Sequence, residues 1–278
     1  MIEKSDKATN FFELPLFSKS RVQLLNLLVS NLDHSRSTAY IFTPNPEQAV
    51  LASQSPAFLE YLKQADILLP DGVGLIWASK ILGHQTAFPD LRYRIPGREV
   101  VADLIALAEQ RKLCILVLVG RDLAGKKVLS PAVTDVTITN AAFLNEKGSL
   151  KAKTPGVWWL EGYKSVDQPS DEEEQQVHQL ITRLKPDIIF VAFGAPHQER
   201  WVIDHKTILE KSQVSIAMVV GGSFEVLTGT LVAPPAWISK LGVEWLFRLI
   251  QEPWRWKRQL ALVAFVRMVL KRAILRPE

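Results

Sequence analysis

The chain has 278 residues, of which 47% are hydrophobic and 22% charged, and its formal net charge at pH 7 is +4. This composition indicates a globular protein with a substantial core and excludes a disordered chain. Cys114 is the single cysteine, which excludes a disulfide framework and is typical of a reducing compartment, and the polar N-terminus predicts no signal peptide.

Strand and helix patterns alternate along the first part of the chain. Residues 11–17 predict one strand, and apolar residues at helical spacing follow over 21–32. Residues 39–43 predict a strand that ends at a Pro-Asn-Pro turn, and residues 67–69 predict a short strand that ends at Pro70-Asp71-Gly72. Helices are expected after both turns, as in a sheet built from strand–helix–strand units.

Three continuous apolar runs, over 114–119, 188–193 and 215–220, are each followed directly by glycine. Such runs are typical of central parallel strands that are covered on both faces. The chain is therefore predicted to form an open, mostly parallel α/β sheet of the Rossmann-like kind, with helices on both faces. Residues 130–170 fit this scheme poorly, because only 136–138 and 157–160 are strand-like.

Ligands of open α/β sheets bind beyond the carboxyl ends of the strands. The residues at such ends are candidate site residues: Thr43, Asp71, Gly120, Gly194 and Gly221. Asp71 is a candidate general base, and the alternative is that it only caps the helix that begins after Gly72. A helix N-terminus next to Asp71 would lower the pKa of its carboxyl group.

Several residues beside these strand ends could bind a sugar or a phosphate. The Thr43 hydroxyl and the Asn45 amide can hydrogen-bond such a ligand, although Pro-Asn-Pro is also ordinary turn chemistry. Gln198 could hold a ligand through its amide, and the N–H groups of Gly221, Gly222 and Ser223 could cradle a phosphate. Arg94 has the planar guanidinium that pairs with phosphate oxygens, or it is simply a surface arginine.

No metal or other cofactor is expected. The chain lacks an Asp-x-Asp pair, and its five histidines show no ligand spacing. The charge of a leaving diphosphate would then be met by arginines, backbone N–H groups and helix dipoles. No Gly-x-Gly-x-x-Gly follows the first strand, which disfavours a dinucleotide-dependent oxidoreductase.

The last part of the chain is basic and aromatic. Seven lysine and arginine residues and no acidic residue lie within 253–276, so the remainder carries a net charge of −3. Helical patterns predict an amphipathic appendage over 236–278, after an α/β domain over 1–235. Arg267 interrupts the apolar run and favours a helix that lies on an anionic membrane surface. The alternative is packing on the core or in a homo-oligomer, and a nucleic-acid partner is disfavoured.

Six sequence words occur in order: TPNPEQ (43–48), LLPDGVGLIWASKILG (68–83), RIPGREV (94–100), VAFGAPHQERW (191–201), VVGGSFEVLTG (219–229) and APPAWISKLGVEWLFRLIQEPWRWKR (233–258). With these words, residues 11–275 resemble the WecG/TagA/CpsF glycosyltransferases. That family transfers N-acetylmannosamine or N-acetylmannosaminuronic acid in the synthesis of bacterial surface polymers. The chain departs from the family pattern after Gly97, where Arg98 and Glu99 replace a small residue and an aspartate.

The resemblance implies an inverting, metal-independent transferase that moves such a sugar from a UDP-sugar to a GlcNAc on undecaprenyl diphosphate. The enzyme would be cytoplasmic and peripheral on the inner face of the plasma membrane. A non-catalytic, membrane-tethered module that binds nucleotide sugars stays the alternative.

The resemblance also implies roles for individual residues. Asp71 would be the base, with Thr43 and Arg94 beside it as catalytic residues. The residues assigned to the substrate are Asn45, Gly72, Glu99, Gly120, Gly194, Gln198, Gly221, Gly222 and Ser223. In the appendage, Arg248, Arg255 and Arg258 would reach the diphosphate of the acceptor.

Overall fold

The structure is a computed structural model of the chain. It describes residues 8–34, 37–83, 91–120, 127–130, 133–141, 151–222, 224, 232, 234–235, 237–238, 243–253 and 256–275. Two candidate site residues, Ser223 and Arg255, lie outside the described residues.

The strands form one continuous sheet. They are β1 (Ala8–Phe11), β2 (Leu14–Phe17), β3 (Ala39–Phe42), β4 (Ile67–Leu68), β5 (Cys114–Val119), β6 (Lys127–Ser130), β7 (Val133–Asn140), β8 (Gly156–Glu161), β9 (Ile188–Ala192) and β10 (Ile216–Val219). Their order is β1-β2-β4-β3-β10-β9-β5-β8-β7-β6. Every neighbouring pair from β2 to β7 is parallel, whereas β1 and β6 pair antiparallel at the two edges. The predicted open, mostly parallel sheet is confirmed.

Helices cover both faces of the sheet, as predicted. They are α1 (Arg21–His34), α2 (Pro46–Gln54), α3 (Pro56–Lys63), α4 (Val73–Leu82), α5 (Gly97–Arg111), α6 (Asp171–Leu184), α7 (His197–Asp204), α8 (Lys206–Lys211), α9 (Glu244–Gln251) and α10 (Trp256–Ile274). Successive strand residues face opposite sides, so Tyr40 and Phe42 belong to one core cluster and Ile41 to the other. Helices α1 and α5 pack on the side of Ile41, and α2, α3, α4, α6, α7, α8 and α10 pack on the opposite side.

Two regions of the sheet differ from the sequence-based expectations. The single strand predicted over 11–17 is wrong, because Phe12 and Glu13 form a tight turn between β1 and β2. Both turn residues have positive φ values, 48° and 65°, and neither is a glycine or asparagine that would have marked the turn. The second region is 130–170, which was expected to fit the sheet poorly. Its strand-like pieces at 136–138 and 157–160 lie within β7 and β8, which extend the sheet beyond β5.

The C-terminal helix α10 packs against α2 and α4. Its residues Phe265 and Val269 are buried in the same core cluster as the inner faces of those helices. The division of the chain at residue 235 stays a prediction. Among the described residues, no helix has both the length and the apolar content needed to cross a membrane.

Candidate active site

A cleft of about 670 Å³ opens where four neighbouring strands, β4, β3, β10 and β9, reach their carboxyl ends. Thr43, Asp71, Gly194 and Gly221 follow these strands and all line the cleft. The other candidates that line it are Asn45, Gly72, Arg94, Gln198, Gly222, Arg248 and Arg258. The fold therefore brings together residues that are as much as 215 positions apart in the sequence, from Thr43 to Arg258.

Two of the candidates that the structure describes do not line this cleft. The carboxylate of Glu99 pairs with Arg21, whose Nε also donates to Asp103 Oδ2 at 2.7 Å. Gly120 follows β5 at the same edge of the sheet and is exposed. Substrate binding by Glu99 and Gly120 stays a prediction, without support from their positions.

Asp71 lies on the floor of the cleft, between two strand ends and a helix. Its Oδ2 accepts a hydrogen bond from the backbone N–H of Gly97 at 3.2 Å, at the start of α5. The N-cap of α4 is Gly72, and that cap makes no side-chain hydrogen bond, so Asp71 does not have the capping role that was its alternative. A side chain at position 97 would come within 3.1 Å of Thr43 Cγ2, so glycine allows this close approach.

Burial raises the pKa of the Asp71 carboxyl group, and this effect outweighs the opposing effects of Arg94, the Gly97 N–H and Arg98. The expectation that a helix N-terminus leaves this pKa lowered is therefore wrong. The reason is that loss of hydration penalises the charged form more than one N–H and two guanidinium groups stabilise it. A raised pKa makes the carboxylate a stronger base.

Glu244 was missed by the sequence reasoning and is the shared partner of two arginines in the cleft. It lies at the start of α9 and accepts from Arg94 at 3.1 and 2.5 Å, and from Arg98 at 3.3 and 2.8 Å. Arg94 Nη2 is also 4.0 Å from Asp71 Oδ1. In the sequence, Glu244 is one of two acids, with Glu252, in a basic, aromatic word, and this signal could not identify partners about 150 residues away.

Other residues of the C-terminal segment also reach the cleft. The Nε of Arg248 donates to Glu252 at 3.0 Å, and its guanidinium lies against the backbone of Gly222. A side chain at position 222 would collide with that guanidinium, so glycine lets the arginine cover this turn. Arg258 lines the cleft from α10 and is exposed.

Three further candidates form hydrogen bonds within the protein. Thr43 Oγ1 donates to the Val219 carbonyl at 3.4 Å, and Asn45 Oδ1 accepts from the Gln48 N–H as the cap of α2. Gln198 Oε1 accepts from the N–H groups of Gly194 at 3.2 Å and Gly221 at 3.1 Å. Gln198 thus holds two neighbouring turns together, and its direct contact with a substrate stays a prediction.

A buried carboxyl group, that of Glu199, accepts a hydrogen bond from Gln198 and helps to hold it in place. Glu199 is fully buried, and its Oε1 accepts from Gln48 and from Gln198, both at 3.0 Å. Burial raises the pKa of Glu199 to about 7, against the opposing hydrogen bonds from Gln198 and Gln48. The group is therefore partly protonated near neutral pH.

The mouth of the cleft is apolar. Six large apolar side chains both line the cleft and are exposed: Trp77, Ile81, Val232, Trp245, Val266 and Leu270. Val266 and Leu270 belong to an exposed apolar stripe along α10. This stripe also contains Trp256, Leu260, Val263 and Ile274, each more than half exposed. The site therefore combines a charged floor with an apolar, solvent-facing entrance.

We expect Glu199→Gln to stabilise the protein in alkaline but not in acidic solution. The folded-state pKa of Glu199 is raised, so its stabilising contribution is present below the unfolded pKa and is lost as pH rises through about 7. Glutamine resembles the protonated form at every pH. The difference in Tm between variant and wild type should grow from pH 5.5 to pH 8.5 in thermal melts, and a difference independent of pH would contradict this account.

Comparison of the sequence with known proteins identifies one family, and the match spans all the residues that line the cleft. The sequence model of the Glycosyl transferase WecG/TagA/CpsF family matches residues 9–278. An N-acetylglucosaminyldiphosphoundecaprenol N-acetyl-beta-D-mannosaminyltransferase of Bacillus subtilis (strain 168) is 30% identical over 258 residues, which cover 93% of this chain and 89% of the relative. A protein of the same name from Staphylococcus aureus (strain MW2) is 29% identical, over 81% of this chain and 76% of the relative. The chain therefore belongs to the WecG/TagA/CpsF family of glycosyltransferases, as its six sequence words predicted.

Proposed function

We propose that the protein is an inverting, metal-independent glycosyltransferase that moves an N-acetylmannosamine-type sugar from a UDP-sugar to a GlcNAc on undecaprenyl diphosphate. The names of its relatives support the acceptor and the type of sugar. The observation that carries the proposal is the position of Asp71, a carboxylate of raised pKa beside Arg94 on the floor of a cleft with an apolar entrance.

In this reaction Asp71 accepts the proton of the acceptor hydroxyl as that oxygen attacks the anomeric carbon. The new glycosidic bond forms while the bond from the anomeric carbon to the diphosphate breaks, so UDP leaves with the bonding electron pair. Attack opposite the leaving group inverts the configuration at this carbon. General base catalysis of this kind contributes about 10²–10⁴-fold to the rate.

The arginines of the cleft neutralise the negative charge of the diphosphates. Arg94 and Arg98 lie beside Asp71, and Arg248 and Arg258 reach the cleft from the C-terminal segment. Their planar guanidinium groups can donate paired hydrogen bonds to phosphate oxygens. Glu244 already occupies the forks of Arg94 and Arg98 with its carboxylate, so a diphosphate that binds there competes with Glu244.

The apolar entrance suits an acceptor held in a membrane. Val266 and Leu270 line the cleft and belong to the exposed stripe of α10. The exposed basic residues among the described side chains of this helix are Arg258, Arg267, Lys271 and Arg272. An apolar stripe flanked by cations binds at an anionic lipid surface. We infer that the protein docks peripherally by this face, on the inner side of the plasma membrane, with the polyprenyl chain leaving through the entrance.

Transfer is tested with UDP-ManNAc and UDP-ManNAcA as donors and a lipid-linked GlcNAc analogue, in the presence of EDTA. We expect transfer from one of the donors, and Asp71→Asn should lower kcat by about 10²–10⁴-fold because the base is lost. Asp33→Asn, on the surface pair with Arg111, is the matched control and should retain full activity. The Tm of Asp71→Asn should be no lower than that of wild type, because burial penalises the ionised carboxylate.

Each result of the transfer assay has a definite meaning. No turnover by wild type, with UDP-sugar binding that survives Asp71→Asn, would favour the non-catalytic binding module instead. Transfer that EDTA abolishes while the protein stays folded would contradict metal independence. The acid limb of the pH–rate profile should report the raised pKa of Asp71.

We expect Glu244→Gln to bind UDP about fivefold more tightly, equivalent to about 1 kcal/mol, because the variant removes a negative charge that competes with the diphosphate. The acid limb of its pH–rate profile should also move to lower pH, since Glu244 helps to raise the pKa of Asp71. Asp103→Asn is the control, because Asp103 is as buried as Glu244 and also pairs with an arginine. Unchanged or weaker UDP binding, measured by calorimetry, would contradict the competition.

Membrane docking is tested with vesicles that contain phosphatidylglycerol. Val263→Asp places a charge on the exposed stripe of α10, outside the cleft lining, and should weaken co-sedimentation with the vesicles. Val22→Asp is the same substitution at an exposed position of α1, on the other face of the sheet, and should leave binding unchanged. Equal binding by both variants and wild type would argue against this docking face.

A further inference from the structure

A cluster of three metal-ligating side chains lies outside the cleft. Glu174 and His178 are one turn apart on α6, and His205 lies at the junction of α7 and α8. One ligand atom from each residue lies within 4.8 Å of the other two. Glu174 Oε1 is 3.2 Å from His178 Nε2 and is hydrogen-bonded to His205 Nε2. Ligand atoms around a tetrahedral zinc ion are about 3.3 Å apart, so only small shifts would be needed.

The surroundings hold two of these side chains in place. His205 Nδ1 is 2.7 Å from the Trp201 carbonyl, which can only accept, so Nδ1 carries a proton and Nε2 is directed at Glu174. The Tyr163 hydroxyl donates to Glu174 Oε2 at 2.6 Å and itself accepts from Trp201 Nε1 at 2.7 Å. Hydrogen bonds of this kind, from a ligating histidine to a carbonyl and to the far oxygen of a ligating carboxylate, are what orient metal ligands.

The third side chain has an unsatisfied nitrogen. His178 Nε2 is buried and makes no hydrogen bond within the part of the chain that the structure describes, although Glu174 Oε1 is close. His205 Nε2 and Glu174 Oε1 are close enough to share a proton, and a metal ion bound there would take the place of such a proton.

There is space next to the three ligands for a further one. A pocket of about 750 Å³ is lined by Glu174, His178 and His205, and none of the described residues that line it also lines the active-site cleft. A fourth ligand such as water can therefore reach an ion bound there.

We propose that Glu174, His178 and His205 form a binding site for one transition-metal ion, of which Zn²⁺ fits best. Two imidazole nitrogens and one carboxylate oxygen are a donor set that zinc accepts and that Mg²⁺ and Ca²⁺ do not favour. The ion ties α6 to the junction of α7 and α8, so it stabilises the fold. The proposal does not depend on the proposed transfer reaction.

The site is tested on the full chain after removal of metal with a chelator. We expect wild type to bind one equivalent of Zn²⁺ in calorimetry and one equivalent of Co²⁺ with the intense visible bands of a tetrahedral site. Zn²⁺ should raise the Tm of wild type. Binding should weaken below pH 6, where protons compete for the imidazoles.

Three variants separate this site from chance binding. His178→Gln removes the nitrogen that lacks a hydrogen bond and should abolish the cobalt bands and the shift in Tm while the protein stays folded. His205→Gln should do the same, and His34→Gln, at an exposed histidine on α1, should behave as wild type. No stoichiometric binding by wild type, or wild-type binding by His178→Gln, would overturn the proposal and leave an ordinary ion-pair network.

Discussion

The contact between Glu244 and two arginines joins the C-terminal segment to the edge of the sheet. Arg94 and Arg98 precede and begin α5, whereas Glu244 begins α9, about 150 residues later. All three side chains are at most about a quarter exposed, so their charges interact strongly and each would be costly to leave unpaired. Because this contact adjoins Asp71, the position of the segment and the electrostatics of the proposed base are coupled.

The geometry of the floor depends on close backbone approaches at parallel strand ends. Gly97 lets its N–H reach Asp71 while the backbone passes beside Thr43, and Gly222 lets Arg248 lie on the turn after β10. Behind the floor, the amide of Gln198 accepts hydrogen bonds from the turns after β9 and β10 and donates one to Glu199. A floor of this kind would hold a base and cations in fixed positions. Fixed groups favour catalysis by positioning and by preorganised charge.

Helix α7 connects the two polar regions of the molecule. On one side Gln198 and Glu199 support the cleft, and on the other Trp201 stacks on His205, with 4.1 Å between the ring centroids. An ion at the histidine cluster would therefore stabilise the helix that carries the cleft support, without touching the substrate. The carboxylates on the cleft floor, Asp71 and Glu244, both lie beside arginines, which suits a site that meets phosphate charge with guanidinium groups.

The sequence by itself determined the class of fold, the residues that follow each central strand and the family, because alternating patterns, strand-end glycines and short motifs are local properties. It did not determine the turn at Phe12 and Glu13, where no residue typical of turns stands. Only the tertiary structure paired Glu244 with Arg94 and Arg98, removed Glu99 from the cleft lining and brought His205 to His178. Those contacts depend on the order of the strands and on where distant helices pack, and no local pattern of residues encodes either.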